Sequence, residues 1–389
     1  MFSSRFHWDL KPNRLTSLRN EKRAAGDELL DLTESNPTRA GLDYPADEIV
    51  SALANPGILT YEPAPAGLTS SREAVAGYYA ARGHSIGTGQ VLLTASTSEA
   101  YAYIFKLLTN PGDEVLVPRP SYPLFEFLAS MESVSVRQYP LVYHGGWSID
   151  LAALRERVTP RTRAILLVNP NNPTGSYLKR DELDDLALLA RRHELVIVSD
   201  EVFADYPFGP DARRVGSLAS FAEAPAFVLS GLSKVAALPQ LKLGWIVAAG
   251  PAAYRKEALA KLEWIADTYL SVGTPVQLAA PRLLALSTAI QEQITRRVRG
   301  NLAFVAAALN SNSPCRVLAV EGGWYATLQV PRIRSEEEWC LQLLAEDGVL
   351  VQPGFFFDFE SEAFLVVSLL TQPRIFQEGI CRLLARTLI

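Results

Sequence analysis

AFVLSGLSK, residues 226–234, is an apolar run that ends in a lysine. Two other apolar runs end in polar groups. Residues 164–168 lead into Asn169-Pro170-Asn171-Asn172-Pro173-Thr174-Gly175, and residues 195–198 lead into Ser199-Asp200-Glu201. Ligands of parallel α/β sheets bind at the carboxyl ends of the strands. We therefore expect Asn172, Asp200 and Lys234 to converge on one crevice.

These three residue types suit one kind of cofactor. Taken singly, each motif is ordinary: an Asn-Pro turn, a strand-end aspartate, one lysine. In this order they supply an amine for a Schiff base, an acid and an amide donor. An aldehyde on a pyridine ring needs such a set, because the lysine forms the imine and the carboxylate holds a proton on the ring nitrogen. The sequence thus predicts pyridoxal 5'-phosphate (PLP).

The order of elements predicts an α/β fold with a mostly parallel sheet. Strand-like and helix-like segments alternate from about residue 70 to 250, and an α+β pattern follows residue 315. Ser335 and Glu338 form a predicted capping box for a helix over 336–346, and residues 349–352 form a predicted strand. We expect an arm that joins the small domain (1–48), a large cofactor-binding domain (49–285) and a small C-terminal α+β domain (286–389).

Composition excludes several classes of binding partner and favours one cellular compartment. The chain has 389 residues and a net charge of −5, with its basic residues dispersed, so neither nucleic-acid nor membrane partners are expected. Its four histidines show no metal-ligand spacing, and we expect no metal site. Three cysteines far apart in sequence favour a reducing compartment. Residues 1–9 contain no apolar segment typical of a secretory signal, so we expect a cytoplasmic protein.

With these motifs the chain resembles class I/II PLP-dependent aminotransferases, the aspartate-aminotransferase-like fold type I. The resemblance covers most of the chain. It implies that Lys234 forms the internal aldimine and later moves the proton at the substrate carbon. It also implies that Asp200 pairs with the pyridine nitrogen, Asn172 donates to the phenolic oxygen and Tyr122 stacks on the ring.

The resemblance also implies which residues bind the phosphate group of the cofactor. Ser96-Thr97-Ser98 precedes a predicted helix whose amides would bind it, and Ser233 is a further candidate. Lys242 stands where the family has an arginine, so the positive charge remains, but the two parallel hydrogen bonds that a guanidinium can donate to a phosphate are lost. Tyr61 matches the tyrosine that reaches the phosphate of the neighbouring subunit. The implied assembly is a homodimer with a shared active site.

Two further positions depart from the family pattern. Phe203 replaces a tyrosine that donates to the phenolic oxygen, which should raise the aldimine pKa unless Tyr206 substitutes. Val366, a predicted strand valine, stands where an arginine grips the substrate α-carboxylate. Arg374 and Arg39 are the two candidates to replace that arginine.

The predicted activity is transfer of an amino group between an amino acid and a 2-oxo acid. Two alternatives stay open at this point. A PLP-dependent lyase or decarboxylase on the same fold would use the same lysine, aspartate and asparagine. A non-catalytic PLP-binding protein is the other alternative, although the first sixty residues are too short and too weakly basic for a DNA-binding domain.

Overall fold

The computed structural model describes residues 2–5, 8, 11–309 and 313–388. Residues 1–9, in which we expect no secretory signal, therefore lie partly outside the described residues. Among the helices of the described ranges, none is long and apolar enough to cross a membrane. Cys315 and Cys340 are buried, Cys381 is exposed, and all three are free thiols.

The strands form one large sheet and two small ones. They are β1 (Leu30–Asp31), β2 (Val91–Thr94), β3 (Glu114–Arg119), β4 (Ser135–Tyr143), β5 (Trp147–Ile149), β6 (Thr162–Val168), β7 (Val196–Asp200), β8 (Ala226–Gly231), β9 (Gly244–Ala249), β10 (Arg316–Val317), β11 (Tyr325–Gln329), β12 (Val349–Leu350), β13 (Gln352–Pro353) and β14 (Phe364–Ser368).

The helices surround the large sheet and cover the small ones. They are α1 (Arg14–Ala25), α2 (Ala46–Leu53), α3 (Thr69–Ala80), α4 (Thr97–Leu108), α5 (Phe125–Met131), α6 (Leu151–Glu156), α7 (Arg180–His193), α8 (Leu232–Val235), α9 (Ala252–Asp267), α10 (Thr274–Ala308), α11 (Glu336–Glu346) and α12 (Pro373–Arg386).

The large sheet has the strand order β2-β9-β8-β7-β6-β3-β4-β5. The pairs from β8 through β4 are parallel, whereas β9 runs antiparallel to both of its neighbours and β5 runs antiparallel to β4. The central strands are apolar runs buried on both faces, as parallel sheets require. The predicted α/β fold with a mostly parallel sheet is confirmed.

The parallel register brings the predicted site residues to one edge. Val168 at the end of β6 lies beside Asp200 at the end of β7, and Asp200 lies beside Leu229 of β8. Asn172 and Lys234 follow a few residues after β6 and β8. Their common edge is therefore a direct result of strand direction.

The four-stranded sheet is antiparallel, in the order β10-β11-β14-β13, and shares a core with side chains of α10, α11 and α12. Ser335 accepts the Glu338 N–H at 3.2 Å, and the Glu338 carboxylate accepts the Ser335 N–H at 2.8 Å. This geometry confirms the predicted capping box. The single strand predicted over 349–352 is wrong, because β12 pairs with β1 while β13 pairs with β14.

One long helix links the two packing units. Leu283 and Leu284 of α10 belong to a core on one face of the large sheet, whereas Ile294, Val298 and Val305 belong to the core of the small sheet. The amino-terminal arm joins the second core through Leu32 and through the pairing of β1 with β12. The domain division at residue 285 falls between the two sets of α10 side chains and stays a prediction.

Candidate active site

A cavity of about 740 Å³ opens at the carboxyl edge of β6, β7 and β8. This volume lies within the range typical of small-molecule sites. All the predicted cofactor-binding residues except Tyr61 line it: Ser96, Thr97, Ser98, Tyr122, Asn172, Asp200, Phe203, Ser233, Lys234 and Lys242. The fold thus brings together side chains that are up to 146 residues apart in sequence, from Ser96 to Lys242.

Lys234 lies in α8, the short helix that follows β8 directly. The turn into this helix needs Gly231, because a Cβ there would lie 2.8 Å from the carbonyl oxygen of Leu243. The Lys234 amine faces the rings of Phe203 and Trp324, with ring centroids 5.5 and 4.8 Å from Nζ. Burial lowers the pKa of the amine to about 8, although the Asp200 charge opposes the shift.

Asp200 is the last residue of β7, and both of its oxygens are held. The Val202 N–H donates to Oδ1 at 3.2 Å and the Tyr101 hydroxyl donates to Oδ2 at 3.1 Å. Burial raises the pKa of this carboxyl to about 6, and the two hydrogen bonds and the Lys234 charge lower it only in part. The result is a carboxylate fixed in direction and ready to accept a cationic N–H partner.

Asn172 lies in the loop after β6, where neighbouring side chains fix the backbone. Asn171 accepts hydrogen bonds from Thr174, and Asn169 accepts the Leu178 N–H. The side-chain oxygen of Asn172 is buried and has no hydrogen-bond partner among the described residues. A buried amide without a full set of partners, in the wall of a cavity, fits the binding of a polar ligand.

Tyr206 does not replace the donor that is missing at Phe203. The Tyr206 side chain is fully buried, and its hydroxyl donates to the backbone carbonyl of Lys234 rather than into the cavity. Tyr206 therefore holds the backbone of Lys234. Tyr325 also packs against Phe203, with ring centroids 6.2 Å apart, and lines the cavity.

The opposite end of the cavity suits an anion. The amino terminus of the twelve-residue helix α4 lies there, with Ser96 as its N-cap. Gly244 packs against it so closely that a Cβ would lie 3.0 Å from the Ser96 carbonyl carbon. Lys242, two residues earlier, adds a positive charge at the rim. Free helix amides, the helix dipole and a cation favour a phosphate group.

Three predicted site residues do not reach the cavity in the single chain. Tyr61 is 76% exposed and lines a separate small cavity with Tyr103 and Leu270. Arg39 and Arg374 are exposed and are not among the residues that line the active-site cavity. The structure therefore gives no support to a relocated arginine at either of these positions.

Val366 is fully buried in β14, as predicted for a strand valine. Its cross-strand neighbours are Thr327 in β11 and Gln352 in β13. Gln352 lines the cavity, and so does Tyr325, two residues before Thr327. The cross-strand neighbours of Val366, where the family has an arginine, thus carry neutral side chains.

Sequence reasoning missed several residues that line or cover the site. Tyr101 follows the predicted phosphate-binding segment by one helical turn, a spacing that could have indicated it. Trp324, Tyr325 and Gln352 come from the small domain and do not follow the strand-end pattern. Their position depends on domain packing, which leaves no local signal in the sequence. Within the described residues, no cluster of His, Cys, Asp and Glu could hold a metal ion.

Comparison with known proteins agrees with this geometry. The family "Aminotransferase class I and II" matches residues 27–375. Glutamate-pyruvate aminotransferase AlaA of Escherichia coli strain K12 is 32% identical over 69% of this chain and 67% of the relative. Alanine aminotransferase of Mycobacterium bovis is 28% identical over 85% and 79% of the two chains.

Solved structures give the same result. An Escherichia coli aminotransferase superposes with a TM-score of 0.85 at 25% identity, over 99% of this chain and 97% of the other. An alanine aminotransferase from Pyrococcus furiosus superposes with a TM-score of 0.88 at 24% identity, over 100% and 99%. The fold is aspartate-aminotransferase-like, and the chain belongs to the class I and II aminotransferases, enzymes that transfer amino groups.

Proposed function

We propose that this aminotransferase binds PLP through Lys234 and moves an amino group between an amino acid and a 2-oxo acid. One observation carries the proposal: the enclosed Lys234 amine lies with the Asp200 carboxylate at the ends of adjacent parallel strands. Only a neutral amine attacks an aldehyde. Because the pKa of Lys234 is lowered to about 8, roughly one tenth of this amine is neutral at pH 7.

Each of the neighbouring residues has a defined task. The cofactor, when bound, supplies an electron-accepting ring. The Asp200 carboxylate, fixed by Tyr101 and Val202, holds a proton at the ring nitrogen. The Asn172 amide donates to the ring oxygen, and Tyr122 covers one face of the ring.

The phosphate-binding residues hold the ring in place. Ser96-Thr97-Ser98 at the start of α4 offers amides and hydroxyls, and Ser233 and Lys242 line the same cavity. After substrate binds, the Lys234 amine takes up and returns the proton at the substrate carbon. The rings of Phe203 and Trp324 beside Nζ exclude water from that transfer.

Borohydride reduction followed by peptide mapping tests the proposal. We expect reduction of the PLP-loaded protein to leave a pyridoxyl adduct on Lys234, absent in Lys234→Ala and retained in Lys242→Ala. An adduct on another lysine contradicts the proposal. Transfer of labelled nitrogen from alanine or glutamate, the amino donors suggested by the relatives' names, to a 2-oxo acid tests the reaction. Donor breakdown without a 2-oxo acid favours the lyase alternative instead.

We also propose a homodimer in which Tyr61 reaches the phosphate site of the partner subunit. Exposed apolar side chains support this proposal: Leu59 is 87% exposed, Tyr61 76% and Trp264 77%. Apolar side chains this accessible favour burial against a second copy.

The three free cysteines are compatible with a reducing compartment and support a cytoplasmic location.

Sedimentation and cofactor retention together test the dimer. We expect a dimeric mass for the wild type, and faster loss of PLP on dialysis for Tyr61→Phe than for the control Tyr269→Phe, which is 50% exposed. A monomer with full activity would exclude the shared site.

A further inference from the structure

The side of the cavity formed by the small domain differs in polarity and charge from the side formed by the large domain. In β11, β14 and β13, Thr327, Val366 and Gln352 stand side by side in register and so share one face of the sheet. The alternate residues of β14, Leu365 and Val367, pack into the small-domain core. The face with Gln352 and Tyr325 is therefore the one turned to the cavity, where both residues lie in the wall.

This side of the cavity contains no positive charge from the described chain. Among the described residues that line the cavity, Lys234 and Lys242 carry the positive charges, and no arginine is present. Both lysines follow β8 and belong to the cofactor end. The Thr327 hydroxyl beside Val366 is buried without a hydrogen-bond partner among the described residues. The substrate end thus offers neutral hydrogen-bonding groups in place of a cation.

Aromatic and aliphatic side chains complete the same wall. Phe356 and Phe357 belong to a 3₁₀ helix, Gly354–Phe357, that begins two residues after Gln352, and both line the cavity. Tyr122 and Leu128 line it as well. Such a surface favours burial of an apolar substrate side chain and disfavours burial of an unpaired carboxylate.

Building on the PLP-dependent amino transfer proposed above, we propose that this subsite selects an apolar, preferably aromatic, amino donor and holds its single carboxylate through Gln352 and Tyr325. Dicarboxylic substrates are disfavoured, because the described residues of this chain that line the substrate end offer no cation to their second carboxylate. A hydrogen bond from Gln352 or Tyr325 to a charged carboxylate gives about ten- to a hundredfold in affinity, and one to a neutral hydroxyl gives about two- to tenfold, so the carboxylate should gain about two- to tenfold over an alcohol. This property would distinguish the chain from relatives whose names include glutamate.

Binding of unreactive analogues to the holoenzyme tests the subsite without relying on amino transfer. The probes for calorimetry are 3-phenylpropanoate, the uncharged 3-phenylpropan-1-ol and glutarate. We expect 3-phenylpropanoate to bind about two- to tenfold more tightly than the alcohol and at least about tenfold more tightly than glutarate. Failure of the catalytic proposal would appear in the adduct and nitrogen-transfer assays, and not in these affinities.

Two variants of Gln352 and one control complete the test. Gln352→Leu should remove the advantage of the carboxylate over the alcohol, while Gln352→Arg should raise it to about ten- to a hundredfold. Gln342→Leu in α11, whose amide donates to Glu346 and does not line the cavity, should change neither ratio. Two results would overturn the proposal: glutarate binding as tightly as 3-phenylpropanoate, or a carboxylate advantage above about a hundredfold that survives Gln352→Leu.

Discussion

Tyr101→Phe removes the hydroxyl that donates to Asp200 Oδ2 at 3.1 Å and leaves the ring in place. That hydrogen bond favours the charged carboxylate, so its loss must raise the pKa of Asp200. A hydrogen bond to a charged group contributes about 1.5–3 kcal/mol, and one pKa unit corresponds to 1.36 kcal/mol, so the rise is about one to two units. The pKa would move from about 6 to about 7–8.

The consequence is a pH-dependent loss of cofactor affinity. At pH 7 the ionised fraction of Asp200 falls from about nine tenths to between about one half and one tenth. We expect PLP to bind Tyr101→Phe about two- to tenfold more weakly than wild type at pH 7 and almost equally at pH 9. The assay is equilibrium titration of cofactor-free protein with PLP from pH 6 to pH 9, read by absorbance.

The ratio of the PLP affinities of wild type and Tyr101→Phe isolates the contribution of Asp200 ionisation. Titration of the Lys234 amine affects wild type and variant alike and cancels in the ratio. Tyr139→Phe is the control, because its buried hydroxyl donates to the Leu166 carbonyl and not to Asp200. A ratio independent of pH, or an equal pH-dependent change in Tyr139→Phe, would refute the role of Tyr101.

Three further outcomes are expected. Phe203→Tyr restores a phenolic donor beside Lys234 and should lower the pKa read from the absorbance of the bound cofactor by ~1–2 units; an unchanged titration would show that the new hydroxyl points elsewhere. Asp200→Asn should stabilise the cofactor-free protein at pH 7 by about 1–3 kcal/mol but not at pH 4, measured by urea unfolding. The pKa of Asp200 is about 6 in the folded protein and 3.8 in the unfolded chain, so the wild type loses stability as the pH rises from 3.8 through 6, and the asparagine avoids this loss. Equal effects of the substitution at both pH values would contradict this. Ser335→Ala removes the N-cap of α11 and should cost about 1 kcal/mol of unfolding free energy, whereas Ser335→Asp should retain most of it.

The convergence of the candidate site residues in the large domain could be predicted from the sequence because its signals are local. Asn172, Asp200 and Lys234 each follow an apolar run, and parallel strands carry such residues to one edge whatever the loops between them do. The capping box at Ser335 is equally local, since its two partners are three residues apart. For these features the covalent order alone fixes the neighbours.

The rest depended on contacts between distant segments. Tyr101 reaches Asp200, 99 residues away, because α4 packs against the central strands. Gln352 and Tyr325 line the cavity because the small sheet turns that face towards the large domain. The sequence predicted the loss of an arginine at Val366 and left Arg39 and Arg374 as replacements. Only the tertiary structure showed that both are exposed away from the cavity, because long-range packing decides which face of a strand or helix meets a site.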